Sequence, residues 1–167
     1  QLWVSSFDGL YRTSLKGLTP ERAMETVFSG NPWTTSFTED SFGNIWIGTY
    51  RNGTFCFHKN QTAFQKSMSG KNIECMSTDH SGNYWIGSLN GEVCVLDSTQ
   101  KQIMGKTIFP NDMIHTICGQ ESSNKVWVGT MYGLYEAWIE SNKQIVYQKT
   151  SGINIPSIRS IVQDSCF

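Results

Sequence analysis

The hydrophobic positions of this chain recur in blocks and not in one continuous periodicity. Four of the six tryptophans begin a short apolar segment that ends in Ser or Thr, and they lie 43, 39 and 42 residues apart. A glycine follows each of these tryptophans by six or seven residues, and a second apolar stretch follows that glycine. Self-similarity at a period near 42 residues indicates a protein built from one repeated supersecondary unit. The four segments are Trp3–Ser6, Trp46–Thr49, Trp85–Ser88 and Trp127–Thr130.

Each repeat predicts four short strands. The first strand precedes an acidic turn, as in Ile158–Val162, the second begins near the tryptophan, and the third follows the later glycine. The fourth is an alternating run such as Ala63–Met68 or Ile145–Lys149. Four antiparallel strands in 40–45 residues is the length of a β-propeller blade. The pattern therefore predicts an all-β fold, a β-propeller segment of four four-stranded antiparallel blades.

The turns between these strands have signals of their own. Asp40 and Asp79 each open an Asp-x-x-Gly-Asn sequence, in which the carboxylate can accept turn N–H groups and the glycine supplies a positive φ. We therefore expect these aspartates to cap turns in separate blades and not to form an acidic cluster. Asn52–Gly53 and Asn90–Gly91 predict type I′ hairpins. Pro20–Glu25 has helical propensity and a proline suited to a helix start, but its place in the repeat predicts the fourth strand.

The same repeat predicts how blades pack. Apolar and small residues fall on both faces of Met113–Cys118 and Ile158–Val162, as expected for a sheet stacked between two others. The large tryptophan would fill the space between blades. The glycine two positions after it would leave room for a side chain of the neighbouring blade.

This repeat resembles a known family. Asp40–Thr49, with the sequence Asp-Ser-Phe-Gly-Asn-Ile-Trp-Ile-Gly-Thr, is similar to the two-component regulator propeller repeat. Ile158–Asp164 is similar to the first half of that repeat and Trp127–Tyr135 to its second half, so the resemblance covers essentially the whole chain. It implies the periplasmic sensor region of a hybrid histidine kinase of the Bacteroidetes type, in which such propellers precede a β-sandwich, a membrane helix and the kinase. WD-repeat propellers fit less well because the Trp-Asp dipeptide is absent.

The two ends of the chain fall at complementary positions of the repeat: the chain ends within the turn motif that begins at Asp164 and starts just before the tryptophan of that motif, Trp3. Joined end to end, Asp164 and Trp3 would have the six-residue spacing of the repeat. Two arrangements stay open: a fragment of a larger propeller, or a ring closed by the chain itself or by a second copy in a homodimer. The chain has no initiator methionine and begins on a strand, so we expect it to be part of a longer protein. The expected units are a partial blade at 1–31, blades at 32–71, 72–112 and 113–154, and the first strand of a further blade at 155–167.

Composition narrows the function. The chain has 167 residues, 13 Lys and Arg against 14 Asp and Glu, and a net charge of −1. Without a cluster of cations it is poorly suited to nucleic acid, and no apolar run approaches the 18 residues of a membrane span. Only 16% of residues are charged, against about 25% in an average globular protein. Blades buried on both faces would account for that low fraction.

Cysteines and histidines do not predict a reactive centre. The five cysteines form no Cys-x-x-Cys pair, so no zinc site is indicated. Cys56 and Cys94 occupy equivalent third-strand positions and are expected to be buried thiols acting as small apolar side chains. His58, His80 and His115 fall in different places in the repeat. We expect no metal, no cofactor and no catalysis, and a metal-dependent propeller lyase is the less favoured alternative.

Ligand contact is the expected function. Loops vary on a rigid scaffold, and propeller sites gather where loops join the second strand to the third and one blade to the next. Aromatic faces there can stack on sugar rings, and amide, carboxylate and guanidinium groups can bond hydroxyls, although packing of the aromatics between blades stays an alternative. The resemblance makes this a sensor module for a carbohydrate or oligosaccharide, with a protein–protein scaffold as the alternative. The candidate ligand residues are Trp33, Tyr50, Arg51, Asn52, Asn90, Asp112 and Tyr132, and the same loops contain Phe7, Asp8, Asn31, Asn111 and Met131.

Overall fold

The computed structural model is built from antiparallel β-sheets. It describes residues 1–6, 8–16, 24–29, 33–40, 42–58, 64–67, 70–97, 103–110, 112–153 and 155–163. These residues form 15 strands and no helix, so they contain no helix that could cross a membrane. In every sheet the strands pair in the order in which they follow one another along the chain. The all-β propeller architecture is confirmed.

Each sheet is one blade. Blade 1 has three strands, β1 (Leu2–Ser5), β2 (Gly9–Thr13) and β3 (Glu25–Ser29). Blade 2 contains β4 (Thr34–Glu39), β5 (Ile45–Thr49), β6 (Gly53–Phe57) and β7 (Phe64–Ser67). Blade 3 contains β8 (Ile73–Thr78), β9 (Tyr84–Ser88), β10 (Glu92–Leu96) and β11 (Ile103–Ile108). Blade 4 contains β12 (Ile114–Gly119), β13 (Lys125–Thr130), β14 (Gly133–Ile139) and β15 (Ile145–Lys149).

Neighbouring blades meet through their first strands. β4 adjoins β8, and β8 adjoins β12, whereas the fourth strands β11 and β15 make little contact. The hydroxyl of Thr35 in β4 donates a hydrogen bond to the carbonyl of Ile73 in β8 at 2.5 Å. The first strands therefore form an inner row from which the blades fan outward.

The repeated tryptophans lie between blades, as predicted for the central repeats. Trp46 and Trp85 are 2% and 0% exposed. The ring of Trp46 lies 4.2 Å from that of Tyr84 in blade 3, measured between centroids. Trp85 belongs to a buried cluster with Ile114 of blade 4. Burial of these large rings is a main source of packing energy between blades, because each aromatic removes about 150–250 Å² from water.

The glycine two positions after Trp46, Trp85 and Trp127 permits the close approach of the next blade. A Cβ on Gly87 would lie 2.6 Å from Cγ2 of Ile114, and one on Gly48 would lie 2.9 Å from Cγ2 of Ile73. A Cβ on Gly129 would lie 2.7 Å from Cγ2 of Ile158. Ile158 therefore packs against blade 4 in the same way as Ile114 packs against blade 3 and Ile73 against blade 2. This contact confirms the predicted role of the glycine.

The segment 155–163 continues from blade 4 without a strand partner among the described residues. Its Ser157 N–H donates to the carbonyl of Met131 at 2.8 Å, and its Ile158 N–H donates to that of Thr130 at 3.0 Å. Residues 164–167 lie outside the described residues. Closure of a ring, alone or with a second copy, stays a prediction.

Asp40 caps its turn, as predicted. Its Oδ1 accepts the backbone N–H groups of Phe42 and Asn44, both at 2.8 Å. Its Oδ2 accepts the Asn44 side-chain amide at 2.9 Å, the Trp46 indole N–H at 3.2 Å and the Tyr84 hydroxyl at 2.6 Å. Burial acts to raise the pKa of Asp40, but these hydrogen bonds together outweigh it and the pKa lies below its ordinary value. The Tyr84 bond joins blade 2 to blade 3.

Asp79 caps the equivalent turn of blade 3 with fewer bonds. It accepts the backbone N–H and the side-chain amide of Asn83, each at 3.0 Å, and the indole N–H of Trp85 at 3.0 Å. The residue before the next tryptophan is Val126, which has no hydroxyl to offer. The two aspartates therefore differ in the bond to the following blade.

Two local predictions were wrong. Type I′ hairpins need a positive φ at both central residues, but at the second hairpin only Gly91 has one, and its N–H donates to the carbonyl of Ser88 at 3.0 Å. That loop is a three-residue turn with a left-handed glycine at its end. In the first hairpin, Arg51 and Gly53 have positive φ values and Asn52 does not.

The predicted fourth strand of blade 1 at Pro20–Glu25 is described only at its end. Residues 20–23 lie outside the described residues, Met24 precedes the strand, and β3 begins at Glu25. Glu25 pairs with Arg12 across β2 and β3, and their side chains form a salt bridge at 2.8 Å. The cross-strand partner of Arg12 therefore marks where the strand starts.

Cysteine burial agrees with the sequence. Cys56 and Cys94 are each 1% exposed, on β6 and β10. Burial raises the pKa of Cys94 to about 11. A thiol with such a pKa stays protonated at neutral pH and acts as a small apolar side chain.

Candidate functional site

The predicted ligand residues lie at one end of the sheets, which we call the loop face. It is formed by the β5–β6, β9–β10 and β13–β14 turns and by the connections that lead into β4 and β12. Phe7, Asn31 and Asn111 of the wider set lie outside the described residues. The opposite end carries the aspartate turns. Antiparallel pairing of consecutive strands places these two sets of loops at opposite ends of each blade.

Three of the predicted residues come together in blade 2. The Trp33 and Tyr50 rings lie 4.9 Å apart at their centroids, and the Tyr50 N–H donates to the Trp33 carbonyl at 3.0 Å. The Arg51 guanidinium lies 5.2 Å from the centroid of the Tyr50 ring, within the range of a cation–π contact. Trp33 remains 45% exposed. The group therefore presents an indole to solvent beside a cation.

Trp33 and Arg51 hold unusual backbone conformations. Their φ values are 41° and 80°, in the left-handed region that side chains other than glycine rarely adopt. Strained backbone of this kind concentrates at ligand sites, where the surroundings enforce it. Asn52 follows in the same turn and is exposed.

Asn90 and Asp112 hold the loop face of blade 3 in shape. Oδ1 of Asn90 accepts the Ser88 hydroxyl and, at 3.4 Å, the Glu92 N–H. Oδ1 of Asp112 accepts the Met113 N–H at 2.8 Å, and Asp112 is 7% exposed. These contacts place Asp112 below the surface, whereas Asn90 is exposed.

Tyr132 lies on the loop face of blade 4, two blades from Trp33. It is 60% exposed, and its N–H donates to the Thr130 hydroxyl at 3.1 Å. Met131 beside it is also exposed. The exposed aromatic surface of the loop face therefore has two separate parts, one in blade 2 and one in blade 4.

A buried ion cluster lies next to this face, and the sequence pattern did not predict it. The Glu92 side chain is 6% exposed, and its carboxylate lies 2.7 Å from Nζ of Lys71 and 2.9 Å from Nζ of Lys106. Burial acts to raise the pKa of Glu92, but the hydrogen bonds from the two lysines outweigh it and the pKa lies below its ordinary value. One sequence feature could have indicated this cluster: Glu92 places a charge directly after the turn glycine, where other repeats have the uncharged Thr54 or Leu134.

We expect Glu92→Gln to lower the free energy of unfolding by about 1 kcal/mol at pH 7, since both lysines are more than a third exposed and solvent weakens the pair. The pKa of Glu92 is lowered on folding, so its contribution is present above pH 4.5 and is lost as the pH falls through the folded value. Urea unfolding at pH 7 and at several pH values below 4.5 should show the gap narrowing as the pH falls. Glu136→Gln, which breaks the more exposed Lys125 pair, is the control and should cost less. A gap that does not narrow with falling pH would contradict the electrostatic origin.

A second set that the sequence did not predict lies on the inner row. The pairing of each complete first strand skips one residue: Thr35 in β4, Glu74 in β8 and His115 in β12. Arg159 follows Ile158 as these residues follow Ile73 and Ile114. Nδ1 of His115 lies 3.4 Å from the Arg159 guanidinium. Aligning the repeats on their first strands would have revealed the set.

A cavity of about 440 Å³ lies between blades 1 and 2, away from the loop face. It is lined by Trp3, Arg12 and Phe57, among others, and the Arg12 guanidinium lies 5.8 Å from both ring centroids. It adjoins β1, which pairs on one side only among the described strands. None of the predicted ligand residues lines it.

The described residues contain no group of three or more His, Cys, Asp or Glu side chains placed to hold a metal ion. His80 is exposed in the turn after β8, and His115 is buried on β12. The two histidines therefore differ in both exposure and place in the blade.

Comparison with known families identifies the repeat. Residues 28–51 match the family model described as two component regulator propeller. This stretch is similar to one repeat of the two-component regulator propeller family. The matched stretch of the propeller repeat covers β4, the Asp40 turn and β5, and it includes Trp33 and Tyr50. No curated protein matches the chain.

Solved structures share the propeller fold. The extracellular domain of the hybrid two component system BT3049 from B. thetaiotaomicron matches at 21% identity over 98% of this chain and 22% of that one, with a TM-score of 0.62. The extracellular domain of the one component system BT4673 from the same organism matches at 18% identity over 90% and 22%, with a TM-score of 0.66. The C-terminal WD40 domain of Sif2 matches at 14% identity over 89% and 47%, with a TM-score of 0.60. The chain thus spans about a fifth to a half of these structures, and at such identities the likeness shows the fold alone.

Proposed function

We propose that this chain is a ligand-sensing propeller module of a two-component sensor and that it binds a carbohydrate on the loop face. The propeller repeat at 28–51 and the likeness to extracellular domains of two-component proteins support the sensor role and an extracytoplasmic, periplasmic location. The chain would be one part of a longer sensor. Ligand binding would change the packing between blades or subunits, and that change would be relayed to a kinase.

The observation that supports the carbohydrate is the exposed indole of Trp33. The residue is 45% exposed, has a left-handed backbone conformation and lies against Tyr50, so a flat apolar ring is presented to solvent in a fixed place. Such a ring offers a flat apolar surface to the C–H face of a sugar. Arg51 and Asn52 in the adjoining turn can bond its hydroxyls. This combination of a rigid aromatic with polar neighbours suits a saccharide better than an apolar ligand.

We expect Trp33→Ala to weaken binding of an oligosaccharide about five- to thirtyfold, because loss of one stacked aromatic costs about 1–2 kcal/mol. Isothermal titration calorimetry with neutral and acidic oligosaccharides would measure the affinity. Phe42→Ala is the matched control, since Phe42 is 68% exposed but lies in the aspartate turn at the opposite end of the blade.

Three results are informative. A loss in Trp33→Ala with unchanged affinity in Phe42→Ala supports the proposal. Equal affinities in both variants and the parent chain would place the site elsewhere. No heat of binding with any oligosaccharide would contradict the carbohydrate ligand.

A further inference from the structure

The skipped positions of the first strands place one polar side chain per blade along the inner row. Thr35, Glu74 and His115 are equivalent, and each lies in a β-bulge. Bulges redirect a side chain out of the regular alternation of a strand and are frequent beside binding sites. Four neighbouring repeats thus bring a hydroxyl, a carboxylate, an imidazole and, with Arg159, a guanidinium onto adjacent segments. We call these four residues the bulge row.

Two members of the bulge row are in contact, and the charge of a third acts on one of them. The guanidinium of Arg159 lies 3.4 Å from Nδ1 of His115. Burial and the positive charge of Arg159 lower the pKa of His115, while the negative charges of Glu74 and Asp112 act in the opposite sense. The imidazole is therefore neutral at pH 7. The row then contains one carboxylate, one cation and one neutral imidazole, with the buried carboxylate of Asp112 close enough to act on the imidazole.

One atom of the row is left without a partner. His115 is 7% exposed, and its Nε2 has no hydrogen-bond partner among the residues that the structure describes. Buried polar atoms are almost always bonded, and an unsatisfied one lowers stability. Nδ1 faces the guanidinium of Arg159, which only donates, so in the neutral imidazole the proton lies on Nε2. The arrangement costs stability in the free chain, and a ligand oxygen that accepts from Nε2 would recover it.

We propose that Glu74, His115 and Arg159 of the bulge row form a binding subsite for a neutral, hydroxyl-rich ligand. This inference rests on the proposed function and deepens it by naming the class of saccharide and a second place of contact. A hydroxyl group both donates and accepts, so it can bond the carboxylate, the imidazole and the guanidinium in turn. An anionic saccharide would meet Glu74 and Asp112, and a cationic one would meet Arg159. The neutral class is the one that meets no like charge.

Calorimetry with three trisaccharides of different charge tests the subsite: cellotriose, tri-galacturonate and the fully deacetylated chitosan trimer. We expect cellotriose or another neutral trisaccharide, such as xylotriose or mannotriose, to bind more tightly than either charged one. Glu74→Gln and Arg159→Gln should each weaken the neutral trisaccharide at least tenfold. Glu121→Gln is the matched control, because Glu121 is exposed in the β12–β13 turn at the opposite end of the blade, and it should change affinity less than twofold.

The outcomes separate the two proposals. Neutral binding that survives Glu74→Gln and Arg159→Gln but is lost in Trp33→Ala overturns the bulge-row subsite and leaves the loop-face function standing. A preference for the anionic or cationic trisaccharide overturns the neutral class. No binding of any trisaccharide contradicts both proposals.

Histidine NMR gives a direct readout of the same subsite. The imidazole nitrogens of His115 should shift on addition of the neutral trisaccharide, while those of His58 and His80 serve as internal references and should not. A shift at all three histidines, or at none of them with binding intact, overturns the assignment.

A measurement without ligand tests the row independently. His115→Leu removes the unpartnered nitrogen. If the imidazole serves ligand binding and destabilises the free chain, the substitution should raise Tm by about 2–4 °C. A fall in Tm would show that His115 and Arg159 stabilise the fold, and it would overturn the subsite whatever the chain binds.

Discussion

Replacing Asp40 by alanine is expected to lower the free energy of unfolding by about 3–5 kcal/mol. The carboxylate accepts five hydrogen bonds, and two of its donors, the Trp46 indole and the Tyr84 hydroxyl, lie on side chains that are at most 2% exposed. Each buried donor left without a partner costs about 1–3 kcal/mol. A typical domain has a free energy of unfolding of about 5–15 kcal/mol, so this loss is a large fraction. Urea unfolding followed by tryptophan fluorescence would measure it.

Asp79→Ala is the matched control for this experiment. Asp79 caps the equivalent turn and bonds the equivalent indole of Trp85, but it accepts no hydroxyl from the next blade. We therefore expect Asp79→Ala to cost about 1–2 kcal/mol less than Asp40→Ala. Tyr84→Phe should cost about 1 kcal/mol alone, whereas in the Asp40→Ala background it should recover part of the loss, because it removes a buried hydroxyl that has no partner left. Additive effects of the two substitutions would contradict a bond between blades 2 and 3.

The same bond predicts a pH dependence. The pKa of Asp40 lies below its ordinary value of 3.8, so folding favours the ionised form. The stabilisation is therefore complete above that value and is lost as the pH falls through the folded pKa. The difference in unfolding free energy between the parent chain and Asp40→Ala should narrow below about pH 4. A difference that stays constant to pH 2 would show that charge does not contribute.

The sequence predicted the parts of the fold that repeat. Trp46 and Gly48 have counterparts at the same offset in blades 3 and 4, and Asp40 has one in blade 3. A residue that recurs in this way is expected to serve a contact that those blades share. The tryptophan between blades, the close approach at the glycine and the capped turn were therefore predictable, and the structure shows each of them.

The features that differ between blades were not predictable. The Tyr84–Asp40 bond joins residues 44 positions apart, and no local pattern indicates that the Tyr84 hydroxyl reaches the aspartate of the preceding blade. Glu92 looks like a surface charge until Lys71 and Lys106, from two other segments, are placed against it. The type of the two hairpin turns was not predictable either, because an Asn-Gly sequence is compatible with several hairpin geometries and the flanking strands decide which one forms.

The candidate site likewise has a part that was predictable from the repeat and a part that was not. The repeat phase placed Trp33, Tyr50 and Tyr132 on one end of the blades, but it could not tell an exposed residue such as Tyr132 from a buried one such as Asp112. The bulge row was not predicted from the sequence because the residue type at this position differs in every repeat. Equivalence by position, and not similarity of residue type, relates Glu74 to His115.

Gly119→Ala is expected to lower the free energy of unfolding by about 3 kcal/mol or more. Gly119 ends β12, and a Cβ there would lie 2.0 Å from the carbonyl oxygen of Thr78 and 3.1 Å from its carbon. Overpacking costs about 1–3 kcal/mol when side chains can yield, but here the obstacle is backbone. Thr78 pairs with Tyr84 and precedes Asp79, which caps the next turn, so moving it disturbs the β8–β9 hairpin. Thermal and urea unfolding would measure the loss.

Two variants separate the steric effect from the other consequences of adding a methyl group to Gly119. Gly152→Ala adds one where no heavy atom lies within 4 Å, so only its left-handed φ of 81° should count, at about 1–2 kcal/mol. Ser77→Ala removes the hydroxyl that accepts the Gly119 N–H at 3.1 Å and should cost about 1 kcal/mol. Gly119→Ala should exceed both, because the close approach of β12 to β8 is the contact that joins blades 3 and 4 at this end. If Gly119→Ala is no worse than Gly152→Ala, the two blades can separate there without loss, and the first strands are not the rigid inner row of the propeller.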